Sequence, residues 1–553
     1  MLGRFADGSG GLRGREASGG GGYPPGPMRR LVLLSVALAA LLASVSGCGN
    51  SDSKAGGMRD RPPRPERVSA AKAEDLPNVI FIYTDDQNRS EFTPRYMPRT
   101  FELLADPGTT FSDFVVATPL CCPSRASYLT GSYPHNDGVF SNPRGYSNLQ
   151  GKFNTLPVWM RNAGYRTAWV GKYLQGYDTG VDDPLQAAPG YDEWHASFDP
   201  LYYGYDLADN GESVHYGERP RDYYTSVITG IATDLIKAQA ARKRPLYMTI
   251  NNLAPHHGGG GSAGRCTDLV TPAPRDEKAY ARATLPRGPS FNEADRSDKP
   301  AFIQEKELPP PKVERLEVAH GCRLASLRGV DRSIAGIYDA VDRAGELSNT
   351  VFIFTSDNGI MEGQHAVTGK NIPYGEAVQM PLAILAGKRA LGGPAVHRVG
   401  GLAANVDFAP TILDLAKAKP CARPGNCRDL DGLSLLPALR GRPESLPADR
   451  EILIEGGKAG GDCQYAGIRT AGLNYVEHAE PTADGGCDRE AAGVELYDLD
   501  GRLSGRADPL ELDNLLSPTV RGSADPRVRR ERVRLDRRLE ELRSCSGASC
   551  RRP

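Results

Sequence analysis

Four strongly apolar segments of this sequence end abruptly in polar residues. Segment 78–83 is followed by Asp85 and Asp86, 166–170 by Lys172, 246–250 by His256, and 351–354 by Asp357 and Asn358. Continuous apolar runs rich in β-branched residues are typical of parallel strands that are buried on both faces. In open α/β sheets, the carboxyl ends of the strands form the ligand crevice. The pattern therefore predicts an α/β fold in which four strands deliver polar side chains to one rim.

The remaining patterns suggest two domains of unequal size. Apolar residues at three- and four-residue steps between 324 and 341 mark one face of a helix. Segment 258–311 is rich in Gly, Pro and charge, which predicts a long surface excursion beside the site. Past Gly441, shorter apolar runs indicate a smaller β-containing domain that ends in a helix. We expect a main domain at 77–441 and a smaller C-terminal domain at 442–553.

The charge balance argues against some classes of partner. The 553 residues include 67 Lys and Arg against 68 Asp and Glu, a formal net charge of −1. No global field therefore favours nucleic acid or an anionic membrane surface. The terminal helix is rich in Arg and Glu, but Leu535, Leu539 and Leu542 line one side of it, so its charges are expected to form a solvated face. We expect no nucleic-acid partner.

The N-terminal segment has the features of an export signal. Residues 1–27 are Gly-rich, a composition that predicts an extension without regular structure, with Met28 as an alternative start. Met28-Arg29-Arg30 precedes the apolar segment Leu31–Ala43. This segment is too short to span a bilayer, which needs about 20 helical residues, and is typical of a signal peptide.

The end of this signal points to a lipid anchor. Val45-Ser46-Gly47-Cys48 resembles a bacterial lipobox, in which the Cys becomes the lipidated first residue. Ordinary cleavage beside an incidental Cys is the alternative, because small residues end most signal peptides. We therefore expect a signal at 1–48, a flexible tether at 49–76, and an exported protein that is anchored through Cys48 on the extracytoplasmic side or is secreted.

The cysteines are consistent with an oxidising compartment. Of 11 Cys, Cys48 has its own explanation and Cys121-Cys122 form an adjacent pair, which leaves an even number. Proximity in sequence suggests the pairs Cys266–Cys322, Cys421–Cys427, Cys463–Cys487 and Cys545–Cys550. The connectivity stays open, since eight cysteines allow about 105 pairings.

The most specific motif begins at Cys121. Residues 121–131 read Cys-Cys-Pro-Ser-Arg-Ala-Ser-Tyr-Leu-Thr-Gly. They resemble the sulfatase signature C-x-P-S-R-x-x-x-L-T-G, in which a formylglycine-generating enzyme oxidises the first Cys to formylglycine (3-oxoalanine). All fixed positions match. The alternative is a vicinal or structural Cys pair that opens a helix.

Other segments extend this resemblance over about residues 77–516. Residues 164–174 end in Gly-Lys-Tyr-Leu, whereas many sulfatases have a His where Leu174 stands. The glucosamine-6-sulfatase and heparan endosulfatase branch also reads Gly-Lys-Tyr-Leu, and this chain resembles that branch best. The resemblance implies an alkaline-phosphatase-like α/β fold with a central mixed sheet, a smaller C-terminal domain with an antiparallel sheet, and a sulfated sugar or another sulfate ester as substrate.

A divalent cation is expected at the strand ends. Asp85, Asp86, Asp357 and Asn358 offer oxygen ligands only, which suits Ca²⁺ first and Mg²⁺ as the alternative. The resemblance adds the side chain of residue 121 as a ligand. Alone, Asp85-Asp86 could be a helix-capping turn and Asp357-Asn358-Gly359 a tight turn.

Hydrated formylglycine suits sulfate-ester hydrolysis. One hydroxyl attacks sulfur, and loss of the proton from the other expels sulfate and regenerates the aldehyde. By resemblance, Arg125 and Lys172 steady the hydrate, and Lys370 binds a sulfate oxygen and faces the leaving group. His256 protonates the leaving oxygen or binds sulfate. Because Leu174 cannot act as a base, the candidates for that role are His135 and, as an alternative, His365.

Two other functions fit the same residues. The nearest is a formylglycine-dependent phosphomonoester or phosphonate-ester hydrolase of the same superfamily. The other is a non-catalytic lipoprotein that binds sulfated glycans, with Cys121 never oxidised. The Gly-Lys-Tyr-Leu and Cys-Cys-Pro-Ser-Arg details favour a sulfatase.

Overall fold

A ten-stranded sheet forms the centre of the protein. The computed structural model describes residues 75–552 except 199, 241–243, 259–264, 267–268, 459–460, 483–486 and 489–492. The expected signal, the Cys48 anchor and most of the tether therefore lie outside the described residues. In chain order the strands of the sheet are β1 (Asn78–Thr84), β2 (Thr109–Phe111), β3 (Arg166–Lys172), β4 (Glu193–Ser197), β5 (Tyr205–Asp209), β6 (Glu212–Tyr216), β7 (Leu246–Asn251), β8 (Thr350–Ser356), β9 (Leu382–Ala386) and β10 (Arg398–Val399).

The four predicted strands are neighbours at the middle of this sheet. The strand order is β10-β2-β9-β8-β1-β7-β3-β4-β5-β6. β8, β1, β7 and β3 are parallel, whereas β9 joins β8 antiparallel. The four parallel strands are almost entirely buried because helices cover both faces, which explains their continuous apolar sequences. The predicted α/β class is confirmed, and the sheet is mixed.

The longer helices pack on this sheet. They are α1 (Cys121–Thr130), α2 (Leu156–Asn162), α3 (Tyr224–Ala240), α4 (Pro310–Arg343) and α5 (Phe408–Ala416). In α4 the apolar positions from Leu324 to Val341 are buried, as their spacing predicts. α4 begins at Pro310, which suits the first helical position because proline lacks a backbone N–H. None of the helices in the described ranges is both long and apolar enough to cross a membrane.

A smaller antiparallel sheet follows the large one in sequence. Its strands, in the order β11-β12-β13-β14, are β11 (Ile452–Lys458), β12 (Gly461–Arg469), β13 (Leu473–His478) and β14 (Val494–Asp498). The terminal helix α6 (Pro526–Arg543) contributes Leu535, Leu539 and Leu542 to the core beside this sheet. All of these elements lie past Gly441, where the smaller domain is expected.

The excursion before α4 is less superficial than the sequence suggests. Leu269, Val270, Ala273, Leu285 and Ile303 are buried. Val270 and Ala273 join the apolar cluster that also includes α3 and α4 residues, whereas Ile303 packs with Met361 and Val367 of the hairpin region.

Three of the expected disulfides form among the described residues, and Cys266–Cys322 joins segments 56 positions apart. Cys266 is joined to Cys322 on α4, and the pairs Cys421–Cys427 and Cys545–Cys550 also form. The expected Cys463–Cys487 pair lies outside the described side chains. Cys121 and Cys122 are free and buried.

Candidate active site

Cys121 lies at the first position of α1, where it faces the ends of the central strands. Its side chain is buried, and its Sγ lies 3.4 Å from Asp85 Oδ1, 2.9 Å from Lys370 Nζ and 3.9 Å from Lys172 Nζ. Burial, and then the charge of Asp85, raise the pKa of the Cys121 thiol to about 12. The unmodified thiol is therefore protonated at neutral pH and is a poor nucleophile.

Arg125 connects three of the strand ends. It follows Cys121 by one helical turn, so both side chains leave the same face of α1. Its guanidinium donates to Asp357 Oδ2 at 2.9 Å, to Asp85 Oδ2 at 2.8 Å and to the Lys172 carbonyl oxygen at 2.8 Å. The planar guanidinium fixes the relative positions of β1, β3 and β8 at this rim.

The two lysines of the site bind different aspartates. Lys172, the last residue of β3, donates to Asp85 Oδ2 at 2.5 Å. The residue before it is Gly171, where a Cβ would lie 2.2 Å from the Asn251 carbonyl oxygen of the neighbouring strand. Lys370 donates to Asp86 Oδ1 and follows a short hairpin in which Met361–Glu362 pairs with Thr368–Gly369.

The carboxylates carry opposite pKa shifts. Burial acts to raise the pKa of Asp85, but Lys172, His256, Arg125 and Lys370 together hold it well below its usual value. The pKa of Asp86 is likewise lowered against the effect of burial, mainly by the charge of Lys370. Burial and the neighbouring charge of Asp85 instead raise the pKa of Asp357 to about 6. Additional positive charge at this rim would reduce the repulsion between the three buried carboxylates.

Side chains that could hold a divalent cation converge at this rim. Asp85, Asp86, Cys121 and His256 each offer a ligand atom, and these atoms lie within 4.8 Å of one another. Asn358 Nδ2 donates to Asp86 Oδ1 at 2.6 Å, whereas its buried Oδ1 has no hydrogen-bond partner among the described residues. An unsatisfied amide oxygen beside carboxylates is a donor set that Ca²⁺ or Mg²⁺ can use.

His256 faces the same carboxylates from the end of β7. Its Nε2 lies 3.7 Å from Asp86 Oδ2 and 4.0 Å from Asp85 Oδ1, and its Nδ1 bonds the His257 carbonyl oxygen. Burial, and then Lys172 and Lys370, lower the pKa of His256 to about 4 against the opposing effect of the aspartates. The ring is therefore neutral at pH 7, and Nε2 is the atom that it presents to the site.

Sequence comparison identifies the protein family of this chain. Residues 77–418 match the sequence model of the Sulfatase family. The chain belongs to the sulfatase family. It is therefore a member of a family of sulfuric ester hydrolases, as its Cys-Cys-Pro-Ser-Arg motif suggests.

Two curated relatives show which branch this sulfatase resembles. N-acetylglucosamine-6-sulfatase of Homo sapiens is 30% identical over 524 residues, which cover 86% of this chain and 86% of that protein. The extracellular sulfatase SULF-1 homolog of Drosophila melanogaster is 32% identical over 386 residues, which cover 68% of this chain. The alignment spans only 32% of that longer relative. The predicted resemblance to this branch is confirmed.

Solved structures share the fold of this sulfatase. A protein in complex with its substrate D-glucosamine-2-N,6-O-disulfate has a TM-score of 0.63 at 23% identity and covers 84% of this chain and 97% of its own. Phosphonate monoester hydrolase of Agrobacterium radiobacter has a TM-score of 0.60 at 20% identity and covers 85% and 95%. The alkaline-phosphatase-like α/β fold with a smaller antiparallel sheet is thus confirmed.

The described contacts of the His135 ring are with groups other than Cys121. Its ring nitrogens lie 2.9 Å from Glu455 Oε1 and 2.8 Å from the Cys545 carbonyl oxygen, in the C-terminal part of the fold. Although burial acts to lower it, these acceptors raise the pKa of His135 to about 9. Both nitrogens are engaged by other partners, so the structure gives no geometric basis for the role of a base on the hydrate.

The other histidine candidate and Leu174 also contact other groups. His365 is fully buried, and its Nδ1 lies 2.6 Å from Glu293 Oε2, while its Nε2 has no partner among the described residues. Leu174 is buried in the main apolar core. Neither side chain has a described contact with Cys121.

Sequence reasoning missed a charged group directly behind the rim. Arg323 on α4 bonds the Asp86 carbonyl oxygen, and Glu91, Glu362 and His320 surround it. The sequence does contain an indication of this group, because Arg323 lies on the apolar face of the predicted helix, beside Leu324 and one turn before Leu327. Long charged side chains on such a face are rarely buried unless they are paired.

Proposed function

We propose that this sulfatase is an exported enzyme that hydrolyses sulfate monoesters, with Cys121 oxidised to formylglycine and with a bound divalent cation. The surroundings of Cys121 are the observation that carries the proposal. Two ammonium groups, Lys370 at 2.9 Å and Lys172 at 3.9 Å, face its Sγ. A sulfate ester and its more highly charged transition state need fixed positive charge at this point.

Each side chain around residue 121 has a proposed role. Lys370 binds a sulfate oxygen on the side of the leaving group. Arg125 and Lys172 hold Asp85 and orient the hydrate. His256 presents Nε2 to bind sulfate or to pass a proton to the leaving oxygen, and the negative charge of a bound substrate favours its protonated form. His135 has no role in this scheme.

The modified residue and the cation complete the site. Formylglycine supplies a hydrate with one hydroxyl to attack sulfur and a second whose deprotonation releases sulfate. The ligands of calcium, or of magnesium as the alternative, are Asp85, Asp86, Asp357, Asn358 and the side chain of residue 121. The all-oxygen donor set and the unsatisfied Oδ1 of Asn358 support this assignment.

The remaining parts of the proposal concern substrate, location and domains. The names of the relatives favour a sulfated sugar, with aryl sulfates as accessible probes. Residues 77–441 form the catalytic domain and 442–553 the smaller one. A formylglycine-generating enzyme matures Cys121, and Cys48 anchors the exported protein on the extracytoplasmic side of a membrane.

One experiment tests the activity against both alternatives. The purified protein is assayed on an aryl sulfate and on the matching phosphate, and the mass of the Cys121 peptide is measured. We expect sulfate release to dominate, together with a mass about 18 Da below that of the thiol peptide. Faster release of phosphate would favour the phosphonate-hydrolase function suggested by the shared fold. An unmodified Cys121 without turnover would favour a non-catalytic glycan-binding lipoprotein.

A further inference from the structure

Arg323 is a buried arginine that lies behind the candidate active site. It belongs to α4, and only 4% of the residue is exposed. Its guanidinium bonds both oxygens of Glu91, with Nε 2.9 Å from Oε1 and Nη2 2.7 Å from Oε2. Its Nε also lies 3.4 Å from Glu362 Oε1. Arg323 therefore has carboxylate partners in two separate segments of the chain.

The same guanidinium bonds two main-chain oxygens at the rim. Nη2 donates to the carbonyl oxygen of Asp86 at 2.6 Å, and Nη1 donates to that of Pro255 at 3.4 Å. Asp86 has a φ of 68°, in the left-handed region that non-glycine residues rarely adopt. A donor to its carbonyl oxygen helps to hold this conformation, which otherwise costs about 1 kcal/mol or more.

Each contact fixes a segment that carries a proposed site residue. Asp86 is itself a proposed ligand, and Pro255 directly precedes His256. Glu362 pairs with Thr368 in the hairpin that ends just before Lys370. One guanidinium thus contacts the segments of Asp86, His256 and Lys370, which come from three different parts of the sequence.

Neighbouring polar groups reinforce this arrangement. The Asn88 N–H donates to Glu91 Oε2 at 2.9 Å, and Asn88 Oδ1 accepts from the Ile360 N–H at 2.7 Å. His320 Nδ1 lies 3.0 Å from Glu362 Oε2. The loop after β1 is therefore also linked to the start of the hairpin.

A second metal site is the competing interpretation of this cluster. Glu91, His320 and Glu362 offer ligand atoms within 4.8 Å of one another. However, the guanidinium of Arg323 already bonds Glu91 and approaches Glu362, and it has no electron pair to offer a metal. The positive charge that a cation would bring to these carboxylates is thus already present.

We propose that Arg323 is a positioning residue that sets the relative placement of Asp86, His256 and Lys370. The functional consequence rests on the proposed sulfatase activity, because those three residues are assigned to it. The structural consequence, the placement of the three segments, does not depend on that activity. Loss of the guanidinium should loosen three short segments together while leaving the rest of α4 in place.

Hydrogen exchange and kinetics on four variants test this proposal. Arg323→Met removes every donor while keeping an unbranched buried side chain, and Arg323→Lys keeps the charge but not the planar set of donors. Glu362→Gln removes the carboxylate charge that faces both Arg323 and His320 on the hairpin. Arg450→Met is the control, since Arg450 is also buried and bonds Asp407 at 2.7 Å through both Nη atoms, outside the three segments.

We expect Arg323→Met to exchange faster at 84–91, 252–258 and 360–371, with formylglycine still formed. Its kcat should fall about 100-fold and its KM should change less than about threefold, because misplaced groups weaken the transition state more than substrate binding. Arg323→Lys should recover part of this loss. Glu362→Gln should speed hydrogen exchange only in segment 360–371. Arg450→Met should leave the exchange of all three segments unchanged.

Two results would overturn the proposal. One is unchanged exchange of all three segments in folded Arg323→Met; if that variant does not fold, unchanged exchange in Arg323→Lys and Glu362→Gln decides in the same way. The other is equal loosening of these segments in Arg450→Met. Because exchange is read without substrate, an absence of sulfatase activity in the wild-type protein would refute the proposed function and leave this test standing.

Discussion

The ammonium group of Lys370 lies 2.9 Å from the sulfur of Cys121, although 249 positions separate the two residues in the chain. The contact exists because α1 begins beside the end of β1, and the hairpin after β8 brings Lys370 to the same place. Replacing Lys370 therefore tests whether positive charge beside residue 121 is needed for turnover.

Lys370→Met should lower kcat by about 100-fold or more, because a fixed charge that stabilises the transition state is lost. The measurement is steady-state hydrolysis of an aryl sulfate, with the mass of the Cys121 peptide confirming that formylglycine still forms. Lys237→Met is the matched control, since Lys237 is an exposed lysine on α3 paired with Asp234. Equal turnover by the two variants would remove Lys370 from the site.

Removal of divalent cations should lower both activity and the Tm. Burial and the charge of Asp85 raise the pKa of Asp357, so a cation that offsets the repulsion between these carboxylates should stabilise the fold. Calcium at about 100 times its Kd should stabilise the protein by about 2.7 kcal/mol. The measurement is thermal unfolding and turnover after chelation, with calcium and magnesium added back separately. Full activity in exhaustively metal-free enzyme would contradict the assignment.

The two adjacent cysteines should behave differently when they are replaced. Cys122 Sγ accepts a hydrogen bond from the Gln175 N–H at 3.1 Å, and the side chain packs in the main apolar core, so Cys122→Ser should keep formylglycine and most activity. Cys121→Ser should lack the second hydroxyl and stop after any first attack, which leaves a sulfated serine. Intact-protein mass after incubation with an activated aryl sulfate distinguishes these outcomes. Steady multiple turnover by Cys121→Ser would contradict the mechanism.

The sequence was informative where local pattern determines position. The apolar runs predicted the central parallel strands, because a strand buried on both faces needs apolar residues at every position. The strand ends then placed Asp85, Lys172, His256 and Asp357 at one rim, since parallel strands end on the same edge. The motif around Cys121 identified the family, which the sequence comparison confirms.

The sequence was silent where long-range packing determines position. Arg323 and Glu91 are 232 residues apart, and no local pattern predicts that they meet. His135 was assigned to the site because it follows the Cys121 motif closely. α1 ends at Thr130, and Gly131 after it has a φ of 66°. The described contacts of His135 are with Glu455 and the Cys545 carbonyl oxygen, which no local pattern predicts, so its role as the base stays a prediction.

His135 instead forms a pair with Glu455 that should make stability depend on pH. The pKa of His135 is raised to about 9 in the folded protein, against about 6.5 when unfolded. A raised pKa means that the pair stabilises the fold fully below about pH 6.5 and that this contribution is lost as the pH rises through about 9. The loss amounts to at most about 3.4 kcal/mol, since the pKa rises from about 6.5 to about 9 and each pKa unit is worth about 1.36 kcal/mol.

His135→Gln should therefore be less stable than the wild type at pH 6 and nearly equal to it above pH 9. Glutamine cannot carry the charge, so the Tm of the variant should change less over this range, and the difference between the two Tm values should shrink as the pH rises. Calorimetric scans at several pH values measure it. Because His135 contacts Glu455 and the Cys545 carbonyl oxygen rather than Cys121, kcat should stay within about twofold of the wild type. A folded His135→Gln variant with formylglycine in place but no turnover would return His135 to the reaction as the base, whereas a Tm difference independent of pH would show that the pair is not charged.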